Sequence, residues 1–399
     1  QRKAWSMKAG FGTASNYADI ILLKGWDNEN SLNLDSTYKK LTPSENFIVS
    51  FNTYQRFAEH FHFKLEIANS LYTDDTRVTS SDSANYGLMD AFGAFYKKNS
   101  TTSTSTAIES ALGYGGKVFS LNLKFKRIDP GYRSMGAYYF QNDLQNIVIE
   151  PALHLVNNKY NFTGSMGFQQ DNLNDEKPST TKRKIGSFSI TGTPVQPYNF
   201  SFTYSNYDLG QSAGTNPIDS LYEISQTTQN IAVNQNLNLT GKNITQSVVV
   251  AWNYQKLTDK NSNTSEFNAY NSNTVFGNYA LSLIQAQLTF GLGYSYTSFV
   301  LTSYETKVKG PNLSVSKSFF DSKLSLSVSD SYNRSTVLDK LNDTTTENKL
   351  NRITLQTMFI PAKKHRFSLR FYINKSTAVT SGAPSYRESK GDISYVYTF

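Results

Sequence analysis

Apolar and polar residues alternate with a period of two along almost the whole chain. In residues 119–126, Phe119, Leu121 and Leu123 are separated by polar residues, and residues 367–373 repeat the pattern. The 3.6-residue period of amphipathic helices is nearly absent. Because successive side chains of a β-strand point to opposite faces, each such segment predicts a strand with one apolar and one polar face.

The connections between these segments alternate between short and long. Tight links such as Gly115-Gly116 and Gly241-Lys242-Asn243 are followed by longer polar stretches. The longer stretches are 73–102, 128–143, 171–181, 209–222, 257–266, 336–348 and 377–387. An up-and-down meander would collect the tight turns at one end of the sheet and the long loops at the other, which is typical of transmembrane β-barrels.

The predicted segments are long and numerous. Most exceed the ~9–11 residues that a tilted strand needs to cross a bilayer. We count about 16–18 strands, the first two at 3–12 and 46–54, with no strand predicted between them. The sequence therefore predicts an all-β fold, a transmembrane antiparallel up-and-down β-barrel that forms one domain over residues 1–399, with short periplasmic turns and long extracellular loops.

Composition narrows the alternatives. The chain of 399 residues has 26 Tyr and 26 Phe, although only 38% of it is hydrophobic. Disordered chains are poor in aromatic residues, so the composition argues against disorder. The chain contains no apolar run of ~18 residues, which is the length that a transmembrane helix needs. There is no cysteine, which excludes disulfides and thiol chemistry. The first residue is Gln1, so we expect a processed or trimmed product.

A soluble β-sandwich also alternates, and sequence alone does not formally exclude it. Strand length, strand number and aromatic residues near strand ends favour the barrel.

The last strand carries a further signal. Ile393, Tyr395, Tyr397 and Phe399 share one face, and the chain ends on the aromatic residue. This resembles the β-signal that the outer-membrane assembly machinery recognises. The whole chain, with its heavy use of Asn, Lys, Tyr and Ser, resembles porin-like outer-membrane barrels of the Bacteroidota. The resemblance implies the bacterial outer membrane as location, with lipid, lipopolysaccharide and the assembly machinery as partners.

The inward face is expected to be the polar one. We predict that it sets solute selectivity through a group of charged and imidazole side chains: Lys64, Lys124, Lys126, Glu150, His154, Arg352, Arg366 and Arg370. Bases outnumber acids on this face, which predicts a mild preference for anions. The alternative is a solvated wall of crossed charge pairs without selectivity.

Two loops are unusually apolar. Residues 83–98 show helical spacing, with Leu88, Phe92 and Phe95 among the apolar positions. Such a helix must bury its apolar face, either by folding into the lumen or by docking a protein partner. In residues 128–140, the aromatic run Tyr138, Tyr139 and Phe140 suggests a loop that packs on the barrel wall or contacts a partner.

Other chemistry has little support. His154 and Glu150 share a strand face, but no nucleophile motif accompanies them. The carboxylate-rich stretch 171–176 lacks the spacing of a calcium loop. Basic residues are spread rather than gathered, which argues against nucleic acid. We therefore expect no enzyme activity, no metal and no cofactor.

The favoured function is a porin-like channel for small solutes. The alternative is a non-conducting barrel subunit of a multi-protein outer-membrane complex for secretion, assembly or surface display, with an outer-membrane hydrolase a distant third.

Overall fold

The computed structural model describes residues 1–29, 42–79, 85–137, 141–219, 221, 223–380 and 385–398. Within these ranges, nineteen strands form one antiparallel sheet. The chain divides into two compact units. The first comprises residues 1–153, 163–186 and 209–223, and the second comprises residues 154–162, 187–208 and 224–399.

The strands are between 10 and 19 residues long. In chain order they are β1 Arg2–Thr13, β2 Asn16–Asp27, β3 Glu45–Phe57, β4 Phe61–Thr73, β5 Thr102–Gly115, β6 Phe119–Ile128, β7 Leu144–Leu155, β8 Tyr160–Gln170, β9 Ser179–Val195, β10 Tyr198–Ala213, β11 Ser225–Thr240, β12 Ile244–Asp259, β13 Tyr270–Leu283, β14 Leu288–Leu301, β15 Tyr304–Phe319, β16 Leu324–Asp339, β17 Thr344–Ala362, β18 His365–Ala378 and β19 Tyr386–Tyr397.

The prediction of an all-β, antiparallel up-and-down fold is confirmed. The predicted count of 16–18 strands is too low, because β2 was missed. Its centre, Ile20 to Leu23, is a continuous apolar run without alternation. Strands covered on both faces read this way. The structure shows that cover: Leu22 and Leu23 pack in two different hydrophobic clusters on opposite faces.

In the first unit, β1 to β7 pair in chain order, each antiparallel to the next. From β3 onward the connections alternate as the sequence predicts: short turns follow β3 and β5, and long loops follow β4 and β6. The short turn after β1 and the long loop after β2 were not predicted, because β2 was not. One 3₁₀ helix, Gly87–Phe95, lies in the loop after β4, within the segment predicted to be helical.

In the second unit, β11 to β19 pair in chain order. The pairing of β17 with β18 shifts register between Phe359 and Ala362. The long loop predicted at 336–348 is wrong: β16 runs to Asp339 and β17 begins at Thr344. Polar residues at the ends of both strands still pair with each other. The loop predicted from their polarity was therefore too long.

One helical turn, Ser265–Asn268, precedes β13. No helix in the described ranges is long and apolar enough to cross a bilayer.

Candidate functional site

The two faces of the first unit differ in chemistry. Residues directly opposite each other in antiparallel strands share a face. One register row joins Asp19, Asn52, Glu66, Glu109 and Lys126 across β2 to β6. The next row runs through Ile20, Phe51, Ile67 and Ile108 on the opposite face. We call these the polar face and the apolar face.

Several of the predicted lumen residues lie together on the polar face of the first unit and form ion pairs. The Lys64 ammonium is 2.8 Å from Glu109, and the Lys124 ammonium is 2.7 Å from Glu150. Lys8 pairs with Asp19 at 2.8 Å. Pairing cancels most of the local charge, so the excess of bases seen in the sequence is smaller in the structure.

The predicted arginines share one face of the second unit. We call it the polar face of that unit, and the opposite face its apolar face. Arg352 donates to the Asn374 side chain at 2.6 Å, and its guanidinium lies 5.4 Å from the centre of the Tyr372 ring. Arg366 and Arg370 share the same face of β18. Within the part of the chain that the structure describes, neither of these two arginines has a salt-bridge partner.

On the neighbouring strands β14 to β16, much of this face carries small, uncharged side chains. On β16 it includes four serines in succession, Ser325, Ser327, Ser329 and Ser331. Across from them on β15 lie Asn312 and three more serines. β14 contributes Gly291 and Gly293, where an added Cβ would come within 2.6 Å of β15 side chains. Such a surface is polar and without charge.

The apolar face exposes large side chains to the surroundings. On the same β16, Val328 is 48% exposed although its neighbours are hydroxyl-bearing. The exposed set in the second unit includes Val250, Trp252, Val275, Phe290, Leu292, Leu313, Val315, Ile353, Phe367, Leu369, Phe371, Ile393 and Tyr395. A continuous exposed apolar surface marks contact with a membrane or another apolar partner.

The loop of residues 129–143, here the aromatic loop, packs on the polar face. Ser70 donates to the carbonyl of Arg133 at 2.6 Å, and the Met135 amide donates to Asn46 at 3.0 Å. Tyr132 is 5% exposed and packs with Ile48, Ala68 and Ile128. Burial raises the pKa of Tyr132 to about 12, with the nearby Glu66 as a second cause. The predicted contact residues Tyr138, Tyr139 and Phe140 lie outside the described residues.

The loop of residues 74–101, here the helical loop, packs on the opposite, apolar face. Phe92 and Phe95 lie 6.0 and 5.6 Å from the Phe47 ring, and Met89 is 3% exposed beside Leu22. The Asp90 carboxylate binds Lys98 and accepts the Tyr86 amide at 2.9 Å. These contacts hold the pKa of Asp90 below its ordinary value, Lys98 being the larger cause. The main chain at Leu88 belongs to the same helix.

A small cavity lies where the aromatic loop meets the polar face. Its volume is about 150 Å³, and it is open on one side. Its lining combines three charged side chains, Glu66, Glu109 and Lys126, with an apolar wall of Ala68, Ala107, Ile128 and Tyr132. Ile108, whose side chain lies on the apolar face, borders the cavity as the neighbour of Glu109. The cavity was not predicted from the sequence, because Tyr132 and Glu66 are far apart in the chain and no pattern links them.

The aspartate at the end of the aromatic loop joins it to the next loop. The Asp143 side chain is 1% exposed, binds Lys177, and accepts the amides of Asn172 and Leu173 at 3.0 and 2.7 Å. Desolvation raises the pKa of Asp143, but Lys177 and the two amides outweigh it and the net pKa is lowered. The carboxylate-rich stretch 171–176 is thus a turn organised by Asp143. No group of three or more metal-ligating acids or histidines occurs in the described residues.

His154 and Glu150, which share a strand face, have different partners in the structure. Nδ1 of His154 lies 2.7 Å from the Asn161 side chain, across the turn after β7. Glu150 is engaged by Lys124. His365 instead lies 2.8 Å from the Tyr395 hydroxyl.

The predicted C-terminal signal residues lie on the apolar face. The Tyr395 ring packs against Phe367 at 4.7 Å, and Tyr397 packs against His365 at 5.1 Å. Ile393 is 83% exposed. Phe399 lies outside the described residues.

No family model matches the sequence, and no curated protein matches it. Similar solved structures include Pseudomonas aeruginosa OpdK with vanillate, with a TM-score of 0.40 and 9% identity over 89% of this chain and 92% of that chain. Acinetobacter baumannii OccAB3 has a TM-score of 0.42 and 10% identity over 97% of this chain and 100% of that chain. Pseudomonas aeruginosa OccK8 (OprE) has a TM-score of 0.41 and 8% identity over 99% and 97% of the two chains.

Proposed function

We propose that the chain is a porin-like β-barrel of the bacterial outer membrane and conducts small solutes. The observation that carries this proposal is the division of single strands into two chemistries. On β16, exposed Val328 alternates with Ser327 and Ser329. A strand with one face toward lipid and one toward a water-filled lumen requires that division.

The polar face supplies the lumen wall in this proposal. Its serines, asparagines and glycines hydrate a pathway, and the apolar face meets the acyl chains. Strands of 10 to 19 residues are long enough to cross the ~30 Å hydrocarbon core at a tilt.

Charge selectivity is proposed to be mild and to favour anions. Lys8, Lys64 and Lys124 are each paired with a carboxylate. Arg366 and Arg370 have no salt-bridge partner within the described ranges, and they supply the net positive field.

The aromatic loop, rather than the helical loop, is proposed to narrow the lumen. Tyr132 and Met135 pack on the face that carries Lys64 and Glu66, whereas Met89 and Phe92 pack on the other face. The helical loop then lies outside the lumen, where it can meet lipopolysaccharide or a protein partner.

The final strand is proposed to be the segment read by the assembly machinery. Ile393, Tyr395 and Tyr397 present one apolar face, as such a signal requires.

A non-conducting barrel is the second candidate. One observation favours it: the aromatic loop is seated firmly on the polar face, as a plug would be. Single-channel recording of the purified protein in planar bilayers separates the two. Steady open steps support the channel, and a folded but silent barrel supports the second candidate.

A further inference from the structure

We propose that the cavity beneath Tyr132 binds a small zwitterionic solute, of the amino-acid type, with its ammonium toward Glu66 and its carboxylate toward Lys126. The proposal deepens the proposed channel function, because it names the class of solute that the polar face recognises.

The charges around the cavity are arranged for a ligand with two opposite ends. Glu66, Glu109 and Lys126 follow one another along a single register row of β4, β5 and β6. Glu109 is engaged by Lys64 at 2.8 Å. Within the described residues, the Glu66 carboxylate and the Lys126 ammonium have neither an ion pair nor a hydrogen bond, so both are available to a ligand.

The distance between these groups sets the length of the ligand. Directly opposite residues of paired strands lie ~4.5–5.5 Å apart at Cα, so Glu66 and Lys126 are separated by about 10 Å at Cα. Their side chains extend toward the same cavity. A solute whose ammonium and carboxylate are separated by a few carbons spans the remaining gap.

The cavity also limits the size and polarity of the ligand. Its volume of about 150 Å³ is close to that of a cavity that accepts benzene. Ala68, Ala107, Ile128 and Tyr132 form an apolar wall suited to a short carbon chain. The four charges Glu66, Glu109, Lys64 and Lys126 sum to zero, which matches a ligand without net charge.

Three probes with the same four-carbon skeleton test the assignment: 4-aminobutyrate, butyrate and butylammonium. Binding is measured by calorimetry on the folded protein in detergent micelles, so the result does not depend on conduction. The wild-type protein is expected to bind 4-aminobutyrate at least tenfold more tightly than either single-charge analogue.

Two variants assign the two ends. Glu66→Gln is expected to weaken 4-aminobutyrate and butylammonium tenfold or more and to leave butyrate unchanged. Lys126→Gln is expected to weaken 4-aminobutyrate and butyrate and to leave butylammonium unchanged. Glu266→Gln, which changes an exposed carboxylate of the helical turn Ser265–Asn268 far from the cavity lining, is the control and is expected to change none of the three.

Equal binding of 4-aminobutyrate by wild type and Glu66→Gln would overturn the proposal, as would butylammonium binding as tightly as the zwitterion. A protein that binds 4-aminobutyrate but passes no current would retain the binding site and refute the channel. A protein that conducts but binds none of the probes would support the channel and refute the binding site.

Discussion

Leu22 and Leu23 are neighbours on β2, and two different loops cover them from opposite sides. Leu22 packs with Phe47 and Met89 under the helical loop. Leu23 packs with Ile48 on the other face, where an added Cβ at Gly136 would lie 2.8 Å from its Cδ1 atom. The loop-proximal end of this strand is therefore buried on both faces, and the two loops have different surroundings.

That arrangement predicts that only one of the loops controls conductance. Tyr132→Ala removes a buried ring from the polar face and loosens the aromatic loop, so the single-channel conductance is expected to rise. Met89→Ala disturbs the apolar face to a similar degree, by about 2–5 kcal/mol for a buried Met, and is expected to leave conductance unchanged. An increase for Met89→Ala alone would show that the helical loop is the one in the lumen.

The Asp143 clamp predicts a pH dependence in the loop of residues 171–178. The folded pKa of Asp143 is lowered, so its stabilisation is fully present above the unfolded pKa of ~3.9 and is lost as pH falls through the folded value. Amide hydrogen exchange at Leu173 should accelerate over that acidic range. Asp143→Asn should give the fast exchange already at neutral pH, because it removes the carboxylate that binds Lys177 and accepts the two backbone amides.

Asp175→Asn is the control for this clamp, since Asp175 is an exposed residue of the same turn. Exchange in Asp143→Asn that matches the wild type at neutral pH would mean that the clamp does not hold the loop.

The turn after β7 contains a strained residue. Val156 has a φ of 51°, which lies in the left-handed region. The φ angles of Asn157 and Asn158 lie in the same region. β-branched residues rarely adopt this conformation, whereas asparagine tolerates it. Val156→Asn is expected to stabilise the folded protein by about 1 kcal/mol, measured as a higher urea midpoint for unfolding from micelles. Val195→Asn, at the end of β9, serves as a control and should bring no such gain.

The two arginines of β18 predict the sign of selectivity. Replacing Arg366 and Arg370 with Gln should shift the reversal potential in a salt gradient away from anion preference. The double variant Lys124→Gln, Glu150→Gln removes a neutral pair, and its effect should be smaller. A larger shift for that double variant would place the selective field in the first unit instead.

The sequence predicted the strands better than it predicted what covers them. Period-two alternation specifies a strand because one face is apolar, and it fails at β2, where both faces are covered. The alternation also placed Lys64, Lys124 and Lys126 on one face, because every second side chain of a strand points to the same face. Alternation does not say which side chains of neighbouring strands meet, so the pairs of Lys64 with Glu109 and of Lys124 with Glu150 are known only from the strand pairing.

The loops were predicted in part. Helical spacing located the 3₁₀ helix, but the face on which it packs depends on contacts with Phe47 and Leu22, far away in the chain. The glycines and aromatic residues of 128–140 pointed to a loop that packs on the wall. The cavity that this loop forms with Glu66, Glu109 and Lys126 had no sequence signal.

In the proposed channel, the face of β16 that carries Ser329 lines a water-filled pathway, and the face that carries Val328 meets lipid. The chain has no cysteine, so single cysteines can be introduced at Ser329 and at Val328 without background labelling. The measurement is single-channel current before and after adding a positively charged, membrane-impermeant thiol reagent. If the serines line the pathway, Ser329→Cys loses current in steps and Val328→Cys loses none. Loss of current for Val328→Cys but not for Ser329→Cys, or no channel in either protein, would contradict this arrangement.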